Sequence, residues 1–396
     1  MSGRITSIAL FLAGVICAAL TMEAGLKSIA ATPLWRVLPV IEPILGRPDW
    51  DTGYVFTPGV SGIWTRENRA ALKITDLGLR GPAEITVEKP ADRQRIALLG
   101  DSIAEGLQVD YAETFSAKMQ DHFDRTGRGI DVINFAMAGN GPLRQLVRLE
   151  QRGYSFDPDI VLSVTGPFDF LTGEMRTDSI NPGYVPDGDG GWTRGYAFRN
   201  RFSVRNADTP AGRLFVGTLQ QVDVTRLLYL RSREPLPLLF GIQAAARPAA
   251  PSSVAPDVCH TANLDRLQQL WQFGRPEADW QVLNKFFDEL AASRSGRPVQ
   301  LLYALREIPM PPAECYAARK QRKELIAAIE LLLGRRGIIF IDLESRLIAG
   351  GGEASTADLR HLYGFGLQIG RGHLNEEGHR RYAAALLSSI APFLPR

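Results

Sequence analysis

The sequence lacks the features on which several large classes of protein depend. Its 45 lysine and arginine residues nearly balance 43 aspartate and glutamate residues, for a formal net charge of +2. They form no dense basic cluster, so nothing indicates nucleic-acid binding. The five histidines have no paired spacing, which argues against a zinc site. Gly-Asn-Gly at 139–141 is not followed by Lys-Ser or Lys-Thr, which argues against a phosphate loop. We therefore expect neither a metal nor an organic cofactor.

Cysteine is scarce, with three residues in a chain of 396. Cys17 lies in an apolar segment near the amino terminus, so Cys259 and Cys315 make the one remaining pair. If the body of the protein is exported, we expect a disulfide between these two residues, because oxidising compartments favour such bridges. The alternative is two unrelated buried thiols.

Long uncharged runs are scarce too, and the one near the amino terminus, residues 5–22, has 18 residues without a charge. As a helix it would be about 27 Å long at 1.5 Å per residue, close to the thickness of a bilayer core. Residues 1–30 are therefore either an uncleaved membrane anchor or a cleaved signal peptide. We favour the anchor, because the small residues that could serve a signal peptidase, at 28–31, lie far beyond the apolar run.

The rest of the chain has the composition of a protein with an ordinary core, at 45% hydrophobic and 22% charged residues. After an irregular, extended lead-in over 31–94, short apolar runs alternate with helical periodicity over 95–396. We predict strands at 95–99, 131–136, 160–165, 299–305 and 337–343, and helices at about 112–125, from Pro142 onward, and at 280–292, 320–333 and 376–390. Residues about 171–256 interrupt this alternation and are interpreted as an insertion, with helical spacing at 213–231. The pattern predicts a three-layer α/β/α fold around a parallel five-stranded sheet of flavodoxin-like type.

Gly100-Asp101-Ser102 stands directly after the first predicted strand of that sheet. Open α/β sheets bind their ligands at the carboxyl ends of their strands. A hydroxyl at this position is exposed and close to a helix amino terminus, which favours negative charge. The tripeptide alone also fits an ordinary turn, because all three residue types are common in turns.

Three later segments can meet this serine at the same edge of the sheet. Gly139-Asn140 follows the second predicted strand, and Gly166-Pro167-Phe168-Asp169 follows the third. Gly370-Arg371-Gly372-His373-Leu374-Asn375 precedes the last helix. Because each segment follows a strand or opens a helix, we expect all of them at one rim.

These segments together resemble the SGNH (GDSL-type) hydrolase family. The resemblance covers roughly residues 95–170 and 299–390 and leaves the insertion outside. The apolar amino-terminal helix and the Asp-Leu-Gly-Leu-Arg-Gly lead-in at 76–81 are also similar to a membrane-anchored subgroup. Members of that type are often linked to O-acyl groups on surface polysaccharides.

The resemblance implies a role for each matching residue. Ser102 corresponds to the nucleophile, and His373 corresponds to the base that activates it; His379, one turn into the last helix, is the less favoured candidate for the base. The backbone N–H groups of Ser102 and Gly139 correspond to the oxyanion hole. The resemblance leaves Asp101, Asn140 and Asp169 as supporting residues.

The sequence departs from the family pattern at two positions. Phe168 stands where the family usually has an asparagine that donates to the oxyanion. Gly370 and Arg371 stand where it usually has an aspartate that orients the histidine. Loss of one oxyanion donor costs roughly 10²–10³ in rate in comparable sites.

Three explanations for the missing carboxylate remain open. A carboxylate from elsewhere in the chain, such as Asp169 or Asp358, orients His373. Alternatively, Ser102 and His373 act as a slow dyad, or the site has lost its reaction and kept a binding role. Asp169 also fits a structural turn cap, and Asp358 fits a solvated loop acid.

The sequence thus predicts a single-pass inner-membrane protein, anchored by residues 5–22, whose main domain lies on the extracytoplasmic side. Its function would be that of a serine esterase or O-acyltransferase acting on acetyl-like esters, with an acylated carbohydrate of the envelope or a small ester as substrate. The alternative is a catalytically impaired module that binds acylated glycan or belongs to an export complex. Arg144 and Arg148, on the helix after the Gly-Asn loop, could contact an anionic sugar or simply be exposed.

Overall fold

A computed structural model of the chain describes residues 2–30, 44–139, 141–166, 181–221, 278–306, 308, 310–353 and 355–394. The strands are β1 (Gly46–Asp49), β2 (Gly53–Phe56), β3 (Ser61–Trp64), β4 (Ala70–Lys73), β5 (Gln94–Gly100), β6 (Ile130–Asn134), β7 (Ile160–Thr165), β8 (Gly183–Pro186), β9 (Trp192–Gly195), β10 (Gln300–Leu305) and β11 (Ile338–Asp342). The helices are α1 (Ser2–Ala30), α2 (Ser102–Glu105), α3 (Phe115–Arg125), α4 (Pro142–Gln151), α5 (Phe202–Arg205), α6 (Pro210–Gln221), α7 (Ala278–Ser293), α8 (Tyr316–Gly334), α9 (Leu343–Gly351) and α10 (Glu376–Ile390).

Five strands form the predicted parallel sheet, in the order β11-β10-β7-β5-β6. Counted along the sheet's own strands this is the order 2-1-3-4-5 read from one edge, which is the flavodoxin-like arrangement. The predicted three-layer α/β/α fold is therefore confirmed. The central strand β7 is buried at every residue, as the unbroken apolar run predicts for a strand covered on both faces.

The core is divided between the two faces of the sheet. On one face the apolar side chains of β5, β7 and β10 pack against α4, α7 and α8. On the other face they pack against α3, α9 and α10. The predicted helix at 112–125 begins later, at Phe115, because the Thr114 side chain caps it by accepting the Ala117 N–H at 3.2 Å.

The described part of the lead-in is more regular than the irregular, extended segment that the sequence predicts. It forms two antiparallel hairpins, β1–β2 and β3–β4, in place of the extended pieces that the sequence indicates. Phe56 and Ile74 from these hairpins pack on Met137, which follows β6 at the carboxyl edge of the main sheet. The buried Arg80 guanidinium then donates to the carbonyl oxygens of Glu105 and Val109, at 2.9 and 2.5 Å. The lead-in is thereby joined to the segment that follows α2.

The interval interpreted as an insertion contains structure that its composition does not reveal. Part of the Gly- and Asp-rich stretch forms the β8–β9 hairpin, whose tip holds the turn residues. The helical spacing predicted at 213–231 corresponds to α6, which begins earlier, at Pro210. The remainder of that predicted helix lies outside the described residues.

The amino-terminal helix α1 is longer than the apolar run that predicts it. Within it, Leu10–Ser28 is long and apolar enough to cross a membrane, and almost none of that window is buried against the rest of the protein. A signal sequence near the amino terminus meets the same criterion. Both sequence-based alternatives for residues 1–30 therefore stay open.

Candidate active site

Ser102 is the first residue of α2, directly after the turn that ends β5, at the carboxyl edge of the sheet. The turn requires glycine at position 100. A Cβ at Gly100 would lie 2.5 Å from the Ala104 Cβ and 2.9 Å from the Val164 carbonyl oxygen. The short turn therefore places the serine beside the boundary between β5 and β7, where ligands bind in sheets of this order.

Asp101 fixes the conformation of this turn through both of its carboxylate oxygens. Oδ1 accepts the Ile103 N–H at 2.9 Å and so caps α2. Oδ2 forms an ion pair with Arg306, which directly follows β10. The carboxylate next to Ser102 thus connects the turn to a strand on the other side of β7.

His373 contacts the serine, 271 residues away in sequence: its Nε2 lies 2.9 Å from Ser102 Oγ. The loop that carries it is held by Asn375, the predicted cap of α10. The Asn375 side chain accepts the Gly378 N–H at 2.9 Å and donates to the His361 carbonyl oxygen at 2.8 Å. The local fold thus fixes the position of the imidazole before any substrate is present.

The carboxylate that contacts His373 belongs to Glu67. Its Oε1 lies 2.7 Å from His373 Nδ1, and its Oε2 accepts the His373 backbone N–H at 3.0 Å. The close approach requires Gly372, because a Cβ there would lie 2.5 Å from Glu67 Oε2. With Nδ1–H donated to the carboxylate, the lone pair of Nε2 faces the Ser102 hydroxyl.

Glu67 is located at the turn of the β3–β4 hairpin, with φ at +65°, a region that residues other than glycine seldom adopt. The body of the protein holds this hairpin at two residues that follow Glu67. Asn68 Nδ2 donates to the Gln108 carbonyl oxygen at 2.9 Å, and the Ala71 N–H donates to the Asp110 carboxylate at 2.6 Å. A lead-in hairpin thus delivers the acid to the edge of the main sheet.

Nothing in the sequence singles out Glu67. It stands between arginine and asparagine in a polar stretch that is typical of any exposed turn. Of the two carboxylates considered from sequence, Asp358 is used elsewhere: its Oδ2 accepts the Ser355 N–H at 2.9 Å and caps the short 3₁₀ helix Thr356–Leu362. Asp169 lies outside the described residues, as do Phe168 and Asn140.

Two other sequence candidates are buried. His379, the less favoured base, is 1% exposed and its Nδ1 accepts the Phe115 N–H at 3.2 Å. Burial lowers its pKa to about 3, and the positive charges of Arg80 and Lys118 act in the same direction. His379 is therefore a neutral structural residue.

Arg144 and Arg148 are 0% and 2% exposed, so they are not surface residues. Both guanidinium groups contact the sulfur of Met137, at 3.4 and 3.2 Å. The expectation that they are exposed or available to a sugar at the surface is wrong. They lie behind the loop that follows β6.

That loop, Met137-Ala138-Gly139, lies beside the end of β5, because the Met137 N–H donates to the Gly100 carbonyl oxygen at 3.2 Å. Gly139 has φ at +65°, which only glycine adopts without strain. Within the described part of the chain, neither the Ser102 N–H nor the Gly139 N–H donates to an acceptor. These two N–H groups are the predicted oxyanion donors.

Glu105 lies beneath the same loop. Burial raises its pKa to about 7, against the opposing effects of a hydrogen bond from the Ala138 N–H and of the charges of Arg80, Arg148 and Arg144. Burial in turn lowers the pKa of Arg148 to about 9 and that of Arg80 to about 10. The loop therefore lies against a buried cluster of charged side chains: Glu105, Arg80, Arg144 and Arg148.

Comparison with known proteins gives the following similarities. Residues 98–381 match the model of the GDSL-like lipase/acylhydrolase family. No curated protein matches the chain. Similar solved structures include TesA, at 12% identity over 76% of this chain and 100% of that chain with a TM-score of 0.37. A catalytic mutant of Axe2, an acetylxylan esterase from Geobacillus stearothermophilus, has 12% identity over 75% and 94% with a TM-score of 0.36. LAE5, an alpha/beta hydrolase enzyme from the metagenome of Lake Arreo, has 14% identity over 75% and 95% with a TM-score of 0.36.

Proposed function

The chain belongs to the GDSL-like lipase/acylhydrolase family, whose members act on ester bonds, and we propose that Ser102, His373 and Glu67 are its catalytic triad. The observation that carries the proposal is the continuous chain of contacts from Ser102 Oγ to His373 Nε2, at 2.9 Å, and from His373 Nδ1 to Glu67 Oε1, at 2.7 Å. This is the order of nucleophile, base and orienting acid that acyl transfer requires.

The reaction proceeds in two acyl-transfer steps. Ser102 Oγ attacks the ester carbonyl while His373 Nε2 takes its proton, and the carbonyl oxygen becomes an oxyanion. The tetrahedral intermediate collapses as the imidazolium returns the proton to the departing alcohol, which leaves an acyl-enzyme on Ser102. Water, or the hydroxyl of an acceptor, then attacks the acyl group with His373 again as base, and Ser102 is released.

Glu67 acts on His373 in two ways. It accepts the Nδ1–H, which keeps Nε2 free to take the serine proton, and its negative charge stabilises the imidazolium of each intermediate. The side chains of both residues remain partly exposed, at 25% for His373 and 30% for Glu67, so solvent weakens this electrostatic contribution. The backbone contact from the His373 N–H adds orientation that does not depend on charge.

The oxyanion is bound by the N–H groups of Ser102 and Gly139. With Phe168 in the place of the usual asparagine, the side-chain donor is missing. We expect a rate lower by roughly 10²–10³ than that of a site with all three donors.

The finer features of the function rest on fewer observations. The apolar window Leu10–Ser28 supports membrane anchoring, and the resemblance to a membrane-anchored subgroup supports an extracytoplasmic main domain acting on acetyl-like esters of envelope polysaccharide. An exported body would also favour the Cys259–Cys315 disulfide; Cys315 is buried, and Cys259 lies outside the described residues. Transfer to a sugar hydroxyl rather than to water requires that the acceptor reach the acyl-enzyme first.

Hydrolysis of p-nitrophenyl acetate by the purified protein, compared with the Ser102→Ala variant, tests the esterase function. We expect wild-type turnover and fluorophosphonate labelling, both lost in the variant. Equal background rates and no labelling in either protein would overturn the esterase function. That result would favour the second candidate, a module that binds acylated glycan. The presence of Phe168 in place of the usual asparagine is the observation that favours this candidate.

A comparison of products decides between hydrolysis and transfer. Incubation with the activated ester and an excess of an oligosaccharide acceptor gives acylated sugar if the enzyme is a transferase, detected by mass spectrometry. Free acetate alone, at an unchanged rate, would rule out transfer to that acceptor and leave hydrolysis.

A further inference from the structure

The orientation of the peptide bond between Ala138 and Gly139 determines whether the Gly139 N–H, one of the two oxyanion donors, can face the site. The described backbone contains no cis peptide bond, and in a trans peptide the C=O and the N–H point in opposite directions. The Gly139 N–H can therefore face the site only while the Ala138 carbonyl points away from it. A flipped peptide would remove the donor and put a carbonyl oxygen in its place.

Tyr54 holds that carbonyl. Its hydroxyl, on strand β2, donates to the Ala138 carbonyl oxygen across 84 residues of sequence. A Cβ on Gly139 would lie 3.5 Å from the same hydroxyl oxygen, so the tyrosine is in contact with the loop itself. On the other side of Ala138, Glu105 accepts its N–H. The peptides on both sides of Ala138 are thus anchored.

Tyr54 is itself held in place by a buried residue. The Arg144 guanidinium lies over its ring at 3.5 Å from the centroid and donates to its carbonyl oxygen at 2.6 Å. The hydroxyl consequently has a fixed position, and the contact costs little conformational entropy when it forms. This also gives the buried Arg144 a structural purpose that its sequence position did not indicate.

We propose that Tyr54 is a positioning residue that orients the Ala138–Gly139 peptide so that the Gly139 N–H faces the oxyanion. The inference rests on the proposed esterase function and deepens it. Tyr54 does not contact the reacting atoms; it acts through a peptide whose rotation would abolish one of two donors. Because few donors remain in this site, each should matter more than in a site with three.

The Tyr54→Phe variant removes the hydroxyl and keeps the ring. For an activated ester we expect kcat to fall about 10- to 100-fold, less than the roughly 10²–10³ for complete loss of an oxyanion donor, and KM to change less than about twofold, because the oxyanion forms only in the transition state. Inhibition by a trifluoromethyl ketone, whose adduct with serine carries the same oxyanion, should weaken by about the factor by which kcat/KM falls. The acid limb of the pH–rate profile should not move.

Tyr154→Phe is the matched control, because it removes one tyrosine hydroxyl bonded at 2.8 Å to Ser293, on helix α7. Similar melting temperatures for the two variants, with full activity only in Tyr154→Phe, support the proposal. Full activity in Tyr54→Phe would overturn it, as would a loss expressed in KM or an unchanged affinity for the ketone. If Ser102→Ala retains wild-type turnover, the esterase function itself fails, which is a different result from an active wild type with an unaffected Tyr54→Phe variant.

Discussion

Glu67 Oε1 lies 2.7 Å from Nδ1 of His373, although 306 residues separate the two in sequence. The hairpin that carries Glu67 precedes the stretch that matches the family, residues 98–381. The positions two and three residues before His373, where the family usually has its aspartate, are occupied by Arg371 and Gly370. An acid from outside the matched stretch therefore stands where the usual one is missing.

Glu67→Gln should lower kcat by about 10²–10⁴, because an amide can donate to Nδ1 and so stabilise the wrong tautomer of His373. Steady-state kinetics with an activated ester measure the effect. Glu113→Gln, which removes an exposed carboxylate paired with Lys118 at 2.7 Å, is the control. Activity in Glu67→Gln equal to that of the control would refute the role of Glu67.

Gly372→Ala should reduce activity far more than stability. The new Cβ would lie 2.5 Å from Glu67 Oε2 and displace the carboxylate from His373. Gly366→Ala is the matched control: it lies in the same loop, with φ at +56° against +82° at Gly372, and a Cβ there has no neighbour within 4 Å. Both variants should lose about 1 kcal/mol from the unfavourable backbone conformation. Equal losses of activity in the two would show that strain, not displacement of Glu67, is responsible.

Two buried groups should give opposite dependences of stability on pH. His379 has a pKa lowered to about 3, so as pH falls below about 6.5 the unfolded state takes up a proton that the native state does not, and stability decreases. Glu105 has a pKa raised to about 7, so between pH 7 and about 4.5 the native state holds the extra proton, and stability increases as pH falls.

Single variants separate these two contributions. From pH 6.5 to 4.5, each group changes the free energy of unfolding by at most roughly 3 kcal/mol. Relative to wild type, Glu105→Gln should become less stable on acidification, and His379→Gln should become more stable. Urea unfolding at pH 4.5, 5.5 and 6.5 measures the slopes. Parallel slopes in the two variants would contradict the pKa shifts of both groups.

Removal of residues 1–30 should release the protein from membranes. The window Leu10–Ser28 is exposed along nearly its whole length in the described structure, so packing against the rest of the protein does not explain its apolar composition. The full chain should stay in the membrane pellet after a carbonate wash, while the truncated chain should be soluble. A full chain that the wash releases would exclude the anchor, and a shortened mature amino terminus would indicate a cleaved signal peptide.

Cys259 and Cys315 should both resist alkylation in protein purified from an oxidising compartment, until a reductant is added. Cys17, which is exposed and has a free thiol, is the internal positive control in the full chain. A bridge closing a loop of this length would stabilise the protein by about 4 kcal/mol on the chain-entropy estimate. Labelling of either residue without reductant, detected by peptide mass spectrometry, would exclude the bridge.

Local sequence signals were sufficient for the sheet, and the pair Ser102 and His373 came from the resemblance to the family. Apolar runs and helix caps such as Asn375 depend on neighbouring residues, and a strand–turn–helix order fixes where a turn lies in a parallel sheet. Glu67 and Tyr54 depend on something else, the docking of two hairpins against a distant edge. Phe56, Ile74 and Asn68 make the docking contacts. No periodicity or motif in the sequence marks these residues.

The burial of Arg144 and Arg148 was missed for a related reason. An arginine on an amphipathic helix is usually exposed, whereas Arg144 is buried here against acceptors from Tyr54, Met137 and Asn181. Sequence reasoning about charge therefore failed where partners come from elements that are remote in the chain.

The position of the β3–β4 hairpin has a practical consequence for anyone who isolates this protein by domain boundaries. A fragment cut at the limits of the family match, residues 98–381, would retain the proposed nucleophile Ser102 and the proposed base His373 and would lack the proposed acid Glu67. Such a fragment could bind reactive phosphonates slowly and still be recorded as inactive. A fragment intended for activity measurements must begin before β1, so that it contains both Tyr54 and Glu67.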